Sequence, residues 1–279
     1  MAADGESVRR LLRAEPDTDD PLGRHATDAH PGIGTKEAAA EQEDADLELL
    51  GELQQRLWAE RTRAVLLVLQ GMDTSGKSGV IKHVGRALNP HGVSVKGFKA
   101  PSEEEKAHDF LWRIRRALPA FGQVGIFDRS HYEDVLVVRV HGWVPEDVWR
   151  KRYDSINRFE EELTGFRTTV VKCMLHISYD YQRERLLARL EDPDKRWKFR
   201  EGDIDERRLW PAYQEAYADA VRHCQPAGAP WYVVPADRKW YRQWAVARIL
   251  VETLTDMNPQ YPRPDFDVEA LKARLAPPN

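Results

Sequence analysis

Apolar residues first recur at helical spacing at Leu47, Leu50, Leu53 and Leu57, which predicts one amphipathic helix through ADLELLGELQQRLWAE. Beyond Ala64 the pattern changes to short β-branched or apolar runs, VLLVLQ, VSVKGF, VGIFD, TVVKCMLHIS and WYVVPA, separated by longer stretches of helical period. Runs of that kind alternating with helices predict an α/β fold with a five-stranded parallel sheet flanked by helices. Ser102 with Glu105 forms a capping box that should open a helix through SEEEKAHDFLWRIRRAL. Pro145, followed by Glu146 and Asp147, is expected at the first helical position of VPEDVWRKRYDSINRFEEEL. Residues 179–224 read as two helices around EDPDKRWKFREGD, a polar elbow too charged to be core and the expected place of a helical lid. Residues 1–35, rich in Asp, Gly, Pro and Ala, predict a disordered tail; 36–262 then form the main domain and 263–279 a C-terminal extension.

Composition adds boundaries to this picture. The chain has 279 residues, 42% hydrophobic and 32% charged, enough for one good core inside a well-solvated surface. No run approaches the ~18 apolar residues of a spanning helix, and the first residues lack an apolar signal core, so a cytoplasmic protein with no membrane attachment is expected. Two cysteines, Cys173 and Cys224, are too few for a disulfide framework or a four-ligand zinc site. With 42 Lys+Arg against 46 Asp+Glu and a net charge of −4, the chain is not a general nucleic-acid coat, and any polyanion must meet a local patch.

One segment carries specific chemistry. GMDTSGKS, Gly71 to Ser78, fits G-x-x-x-x-G-K-[ST], directly after the strand VLLVLQ and before a helical stretch. Gly71 and Gly76 let an anion approach backbone N–H groups, with Thr74 and Gly79 in the same phosphate-binding turn. Lys77 supplies charge to the terminal phosphates, and Ser78 offers a hydroxyl to a bound Mg²⁺. Asp73 is unusual, because a carboxylate in a phosphate cradle is repulsive unless it holds metal or activates the acceptor; capping of the following helix is its simpler explanation. The strand VGIFD ends at Asp128, where a P-loop protein presents a carboxylate to the metal shell, followed at once by Arg129. Asp73 and Asp128 with one or two Mg²⁺ ions make phosphoryl transfer the natural reaction class.

Cations are distributed unevenly around these groups. No acidic residue lies between Asp73 and Glu103, whereas Lys77, Lys82, Arg86, Lys96 and Lys99 do, a local excess suited to a long polyphosphate track. KRWKFR, from Lys195 to Arg200 and including Lys198, adds four cations in six residues, with Arg185 and Arg189 upstream as candidates to close over transferring phosphates. A solvated helix face explains Lys82 and Arg86 equally well, and neighbouring acids must pair some lid cations.

GMDTSGKSG, FDRSHYEDVLVVRVHG, EDPDKRWKF and APWYVVPADRKW, in this order, resemble the signature blocks of the family-2 polyphosphate kinases, over about Leu47 to Tyr261. The resemblance implies a P-loop kinase fold with a helical lid, dependence on Mg²⁺ with Mn²⁺ as a substitute, and reversible phosphoryl transfer between inorganic polyphosphate and a nucleotide. It further implies catalytic roles for Asp73, Lys77, Asp128, Arg129, Arg185 and Arg189, and a homodimer or homotetramer, for which Trp143, Trp149, Trp240 and Trp244 would be contact candidates if exposed. Glu133 resembles the acidic residue of the subgroup acting on both nucleoside mono- and diphosphates, pointing to AMP and ADP as acceptors. The alternatives are an ATP-dependent kinase of a nucleotide or small molecule and, from another class, a nucleotide-binding switch. The absence of an Asn-Lys-x-Asp run and the acid inside the loop weigh against a switch.

Overall fold

The computed structural model describes residues 6–275. The five expected runs form strands β1 (Ala64–Gln70), β2 (Val93–Gly97), β3 (Val124–Asp128), β4 (Thr168–His176) and β5 (Trp231–Pro235), joined as one parallel sheet in the order β2-β3-β1-β4-β5. Every residue of central β1 is buried, because helices cover both faces, and its unbroken apolar run reflects this; edge strand β2 is half open and tolerates Ser94 and Lys96.

Among the described residues the helices are α1 (Val8–Leu12), α2 (Lys36–Glu60), α3 (Lys77–Val84), α4 (Glu103–Lys106), α5 (Trp112–Arg115), α6 (Val137–Val140), α7 (Glu146–Gly165), α8 (Tyr179–Glu191), α9 (Gly202–Arg208), α10 (Trp210–His223), α11 (Lys239–Met257) and α12 (Val268–Leu275). The Ser102–Glu105 capping box is present, but the helix it opens stops after one turn. Asp109 then takes the Leu111 N–H with its side chain, at 2.9 Å, so a local turn competes with the helix before α5 begins. Pro145 is the cap of α7 rather than its first residue. The lid segment holds three helices, not two, because Gly202–Arg208 folds separately after a 3₁₀ turn at Arg196–Lys198.

Residues 6–35 correct the expectation of a disordered tail; residues 1–5 lie outside the described residues. Val8, Leu12, Ala14, Leu22 and Ile33 enter the common core, and Arg13 forms an antiparallel bridge to Tyr232 on edge strand β5. Glu252 of α11 accepts from Ser7 Oγ and from the N–H groups of Val8 and Arg9, at 2.7–3.0 Å. Only Val8, Leu11 and Leu12 stand at helical spacing, too short a run to predict α1 from sequence, and the strap's partners lie over two hundred residues away. Of the four tryptophans named as contact candidates, Trp149 and Trp244 are core residues, Trp240 is half-buried, and only Trp143 is strongly exposed, at 63%. No helix among the described residues is long and apolar enough to cross a membrane.

From β1 the chain moves to one side of the sheet for β2 and β3 and then to the other for β4 and β5. The carboxyl end of β1 is therefore the switch point, where a crevice opens above the sheet.

Candidate phosphoryl-transfer site

The loop after β1 is shaped by what packs against its two framing glycines. Gly71 has φ +144°, and a Cβ there would stand 2.6 Å from the Leu175 carbonyl oxygen. Gly76 has φ +99°, and a Cβ there would overlap the Arg242 guanidinium, lying 2.7 Å from its Nη2. Only glycine accepts both the dihedral and the contact. Thr74 also has positive φ, and the buried oxygens of Thr74 and Ser75 have no protein partner, leaving hydroxyl donors that an anion in the loop would satisfy. Lys77 opens α3 and curls back, its Nζ donating to the carbonyls of Gly71 at 2.7 Å and Met72 at 3.3 Å. Ser78 and Gly79 follow on the first turn, Ser78 exposed.

Asp128 ends β3 in register with Leu69 of β1, and Arg129 next to it adopts a left-handed φ of +66°. That turn swings the Arg129 guanidinium back across the crevice, where its Nη2 donates to Asp73 Oδ1 at 2.7 Å. Burial pushes the Asp73 carboxyl up, but Lys77, Arg129 and Arg189 together outweigh it and hold the group below its ordinary value, so it stays ionised. Burial lowers the Lys77 ammonium, which Asp73, Asp128 and Glu133 partly restore. At Glu133 burial wins over Arg129 and Lys77 and raises the carboxyl. The Gln70 amide, oriented to satisfy both neighbours, donates to Glu133 at 3.1 Å and accepts from Ser130. Beneath this turn, fully buried Glu160 accepts from Lys172 at 2.6 Å and Tyr132 at 2.8 Å and pairs with His131, fixing the segment that carries Arg129 and Glu133.

The lid roofs a cavity of about 300 Å³ over Asp73, Arg129 and Glu133. The sequence of the family described as Polyphosphate kinase 2 (PPK2) matches residues 33–262. The chain belongs to that family. It is 50% identical over 263 residues to an AMP/ADP-polyphosphate phosphotransferase of Meiothermus ruber, covering 94% of this chain and 98% of the other. It is 42% identical over 253 residues to an ADP-polyphosphate phosphotransferase of Rhodopseudomonas palustris, covering 86% and 88%. The crystal structure of Polyphosphate Kinase 2 from Arthrobacter aurescens superposes with a TM-score of 0.94 at 44% identity, over 98% of each chain. The P-loop kinase fold expected from the sequence is therefore the observed one.

In this polyphosphate kinase 2 chain, the expected residues fall into two groups. Asp73, Lys77, Arg129 and Glu133 converge, and Arg189 joins them electrostatically while its Nη1 lies 3.6 Å from Asp203. Arg185, Lys82, Lys96, Lys99, Lys195 and Lys198 are exposed and outside the cavity wall; Lys195 pairs with Asp192, and Lys198 lies over the Trp197 ring. Sequence reasoning missed the lid's inner wall. Gln182 donates to the Asp73 carbonyl at 3.2 Å, and Tyr213 and Tyr217 of α10 close the cavity, with Tyr213 bonded to Glu206 at 2.7 Å. The helical spacing of Tyr213 and Tyr217 was the available signal, although it is equally that of core aromatics. Arg242, beneath Gly76, had no local signal.

Proposed function

We propose that this chain transfers the terminal phosphoryl group of inorganic polyphosphate to ADP and to AMP, reversibly, at the crevice between the phosphate loop and the lid. Polyphosphate-dependent phosphotransfer goes with the family; the acceptor pair is carried from the Meiothermus relative's name and supported by Glu133 in the cavity wall. The observation that carries the reading is the convergence of Asp73, Lys77 and Arg129 at the carboxyl ends of β1 and β3.

A terminal phosphate oxygen of the acceptor attacks the terminal phosphorus of polyphosphate. One P–O bond forms, the P–O bond to the rest of the chain breaks, and the shortened polyphosphate leaves with the electron pair. Both reactants are polyanions, so catalysis is mostly positioning and charge neutralisation. Lys77 and the loop N–H groups hold the donor phosphates, and Arg129, oriented by Asp73, meets the charge on the transferring group. Arg189 and Arg185 add charge when the lid closes, while Gly71, Thr74, Gly76, Ser78 and Gly79 shape the cradle. Lys82, Lys96, Lys99, Lys195 and Lys198 lie outside it as exposed contacts for a longer chain.

Among the described residues no cluster of three or more metal-ligating side chains forms a ready cage. Asp73, Asp128 and Ser78 instead offer a few oxygen donors, which fits Mg²⁺, an ion that completes its shell with water and substrate phosphates. Bound there, Mg²⁺ or Mn²⁺ would neutralise phosphate charge. Two free, buried cysteines suit a cytoplasmic setting, and exposed Trp143 would suit a homodimer or homotetramer contact.

The test is to incubate purified protein with Mg²⁺ and long-chain polyphosphate, add AMP or ADP separately, and follow ADP and ATP by chromatography with an EDTA control. ATP from ADP and ADP from AMP, both lost with EDTA, are expected. Failure of both transfers in folded protein that still binds ATP would move an ATP-dependent kinase to the front.

A further inference from the structure

Arg242 of α11 is only 5% exposed and forms no ion pair among the described residues. Its Nη1 donates to the Ala236 carbonyl at the end of β5 and, at 3.0 Å, to the hydroxyl of Tyr181 in the first turn of α8. Its Nε is buried without a partner, and Nε and Nη2 are the atoms that a side chain at Gly76 would strike. One guanidinium therefore touches the end of the sheet, the start of the lid and the phosphate loop.

Those contacts join parts that must act together. Tyr181 follows Ser178, whose side chain caps α8 and whose N–H donates to Asp237 at 2.9 Å; this is the point where the lid leaves the sheet. A buried cation without a carboxylate costs several kcal/mol unless charge and hydrogen bonds compensate it. The neighbouring loop is built to receive an anion, which would supply the missing negative charge. The planar fork of arginine can hold fixed acceptors on separate elements at once, which a lysine ammonium on a flexible stem does poorly.

We propose that Arg242 is a positioning residue that couples the phosphate loop to the lid hinge, so that an occupied loop favours the closed lid. The inference rests on the polyphosphate-transfer reading above. Tyr181→Phe removes only the hinge bond, Arg242→Lys keeps the charge but loses the fork, and both are compared with the wild-type protein. A hydrogen bond to a charged group is among the stronger ones in a protein, so kcat is expected to fall about ten- to a hundredfold in each, with KM for polyphosphate moving much less.

A merely structural role would lower the thermal midpoint and leave the folded fraction fully active. The independent readout is trypsin cleavage at Lys195, Arg196 and Lys198 in the exposed elbow, outside the cavity wall. Polyphosphate with Mg²⁺ should slow cleavage in the wild-type protein and lose that effect in Tyr181→Phe. Normal kcat in the folded Tyr181→Phe protein, or wild-type turnover with an elbow cut equally fast with and without polyphosphate, would overturn the coupling. If the wild-type protein itself transfers no phosphate from polyphosphate, the underlying reading falls, and the coupling with it.

Discussion

The phosphate loop and the lid elbow carry the same kinds of cation under opposite conditions. Lys77 is buried, bonded to two carbonyls of its own loop, and set among Asp73, Arg129, Asp128 and Glu133. In the elbow, Lys195, Arg196 and Lys198 are exposed and bonded largely within the elbow or to α8, and Trp197 between them is 77% exposed. The difference separates charge already in place before substrate arrives from charge that contributes only after a segment moves. Arg189 stands between these extremes, on the lid but within the field of Asp73.

Lys77→Ala should reduce turnover by at least about 10²-fold with the fold intact, since one preorganised electrostatic donor is worth that much. Near-normal steady-state rates in this variant would mean that the loop charge is dispensable. Alanine at Arg189 should cost about tenfold or more and alanine at Arg185 clearly less, because only Arg189 already reaches the carboxylate field. The reverse order in parallel assays would make Arg185 the residue that closure delivers.

A smaller effect concerns stability and pH. Glu133 has its carboxyl raised by burial, against the pull of Arg129 and Lys77, so the folded state favours the protonated form. Its contribution is complete below the ordinary carboxylate value, about 4.3, and is lost as pH rises through the raised one. Glu133→Gln should therefore melt a few degrees higher than wild type near pH 8, with the gap closing towards pH 4; a constant gap across that range in calorimetry would contradict the assignment. Least of all, Trp197→Ala should alter stability by less than about 0.5 kcal/mol, as for an exposed side chain with few contacts. A larger loss in denaturant unfolding would show that the elbow is docked rather than free.

Legibility in the sequence follows the same division. The five strands and the phosphate loop are local patterns, apolar runs and glycines at fixed spacing, and they could be read directly. Asp128 and Arg129 were readable as a strand end, whereas the +66° turn that returns Arg129 to Asp73 was not. Gln182, Tyr213 and Tyr217 reach the site only through packing of the lid, and Arg242 becomes informative only when placed beneath Gly76. Residues 6–35 hold few large apolar residues, which in the sequence reads as inability to fold, yet Val8, Leu12, Leu22 and Ile33 all reach the core.

That strap also sets an order of assembly. Val8 and Arg13 must wait for Glu252 and Tyr232, so the opening residues leave the ribosome more than two hundred residues ahead of the surfaces they cover. Closing so long a loop has a large entropic cost until the sheet and α11 stand ready to receive it. The strap is thus a late latch on a finished sheet, covering the Trp231–Tyr232 end of the open β5 edge, where another nascent chain could otherwise pair.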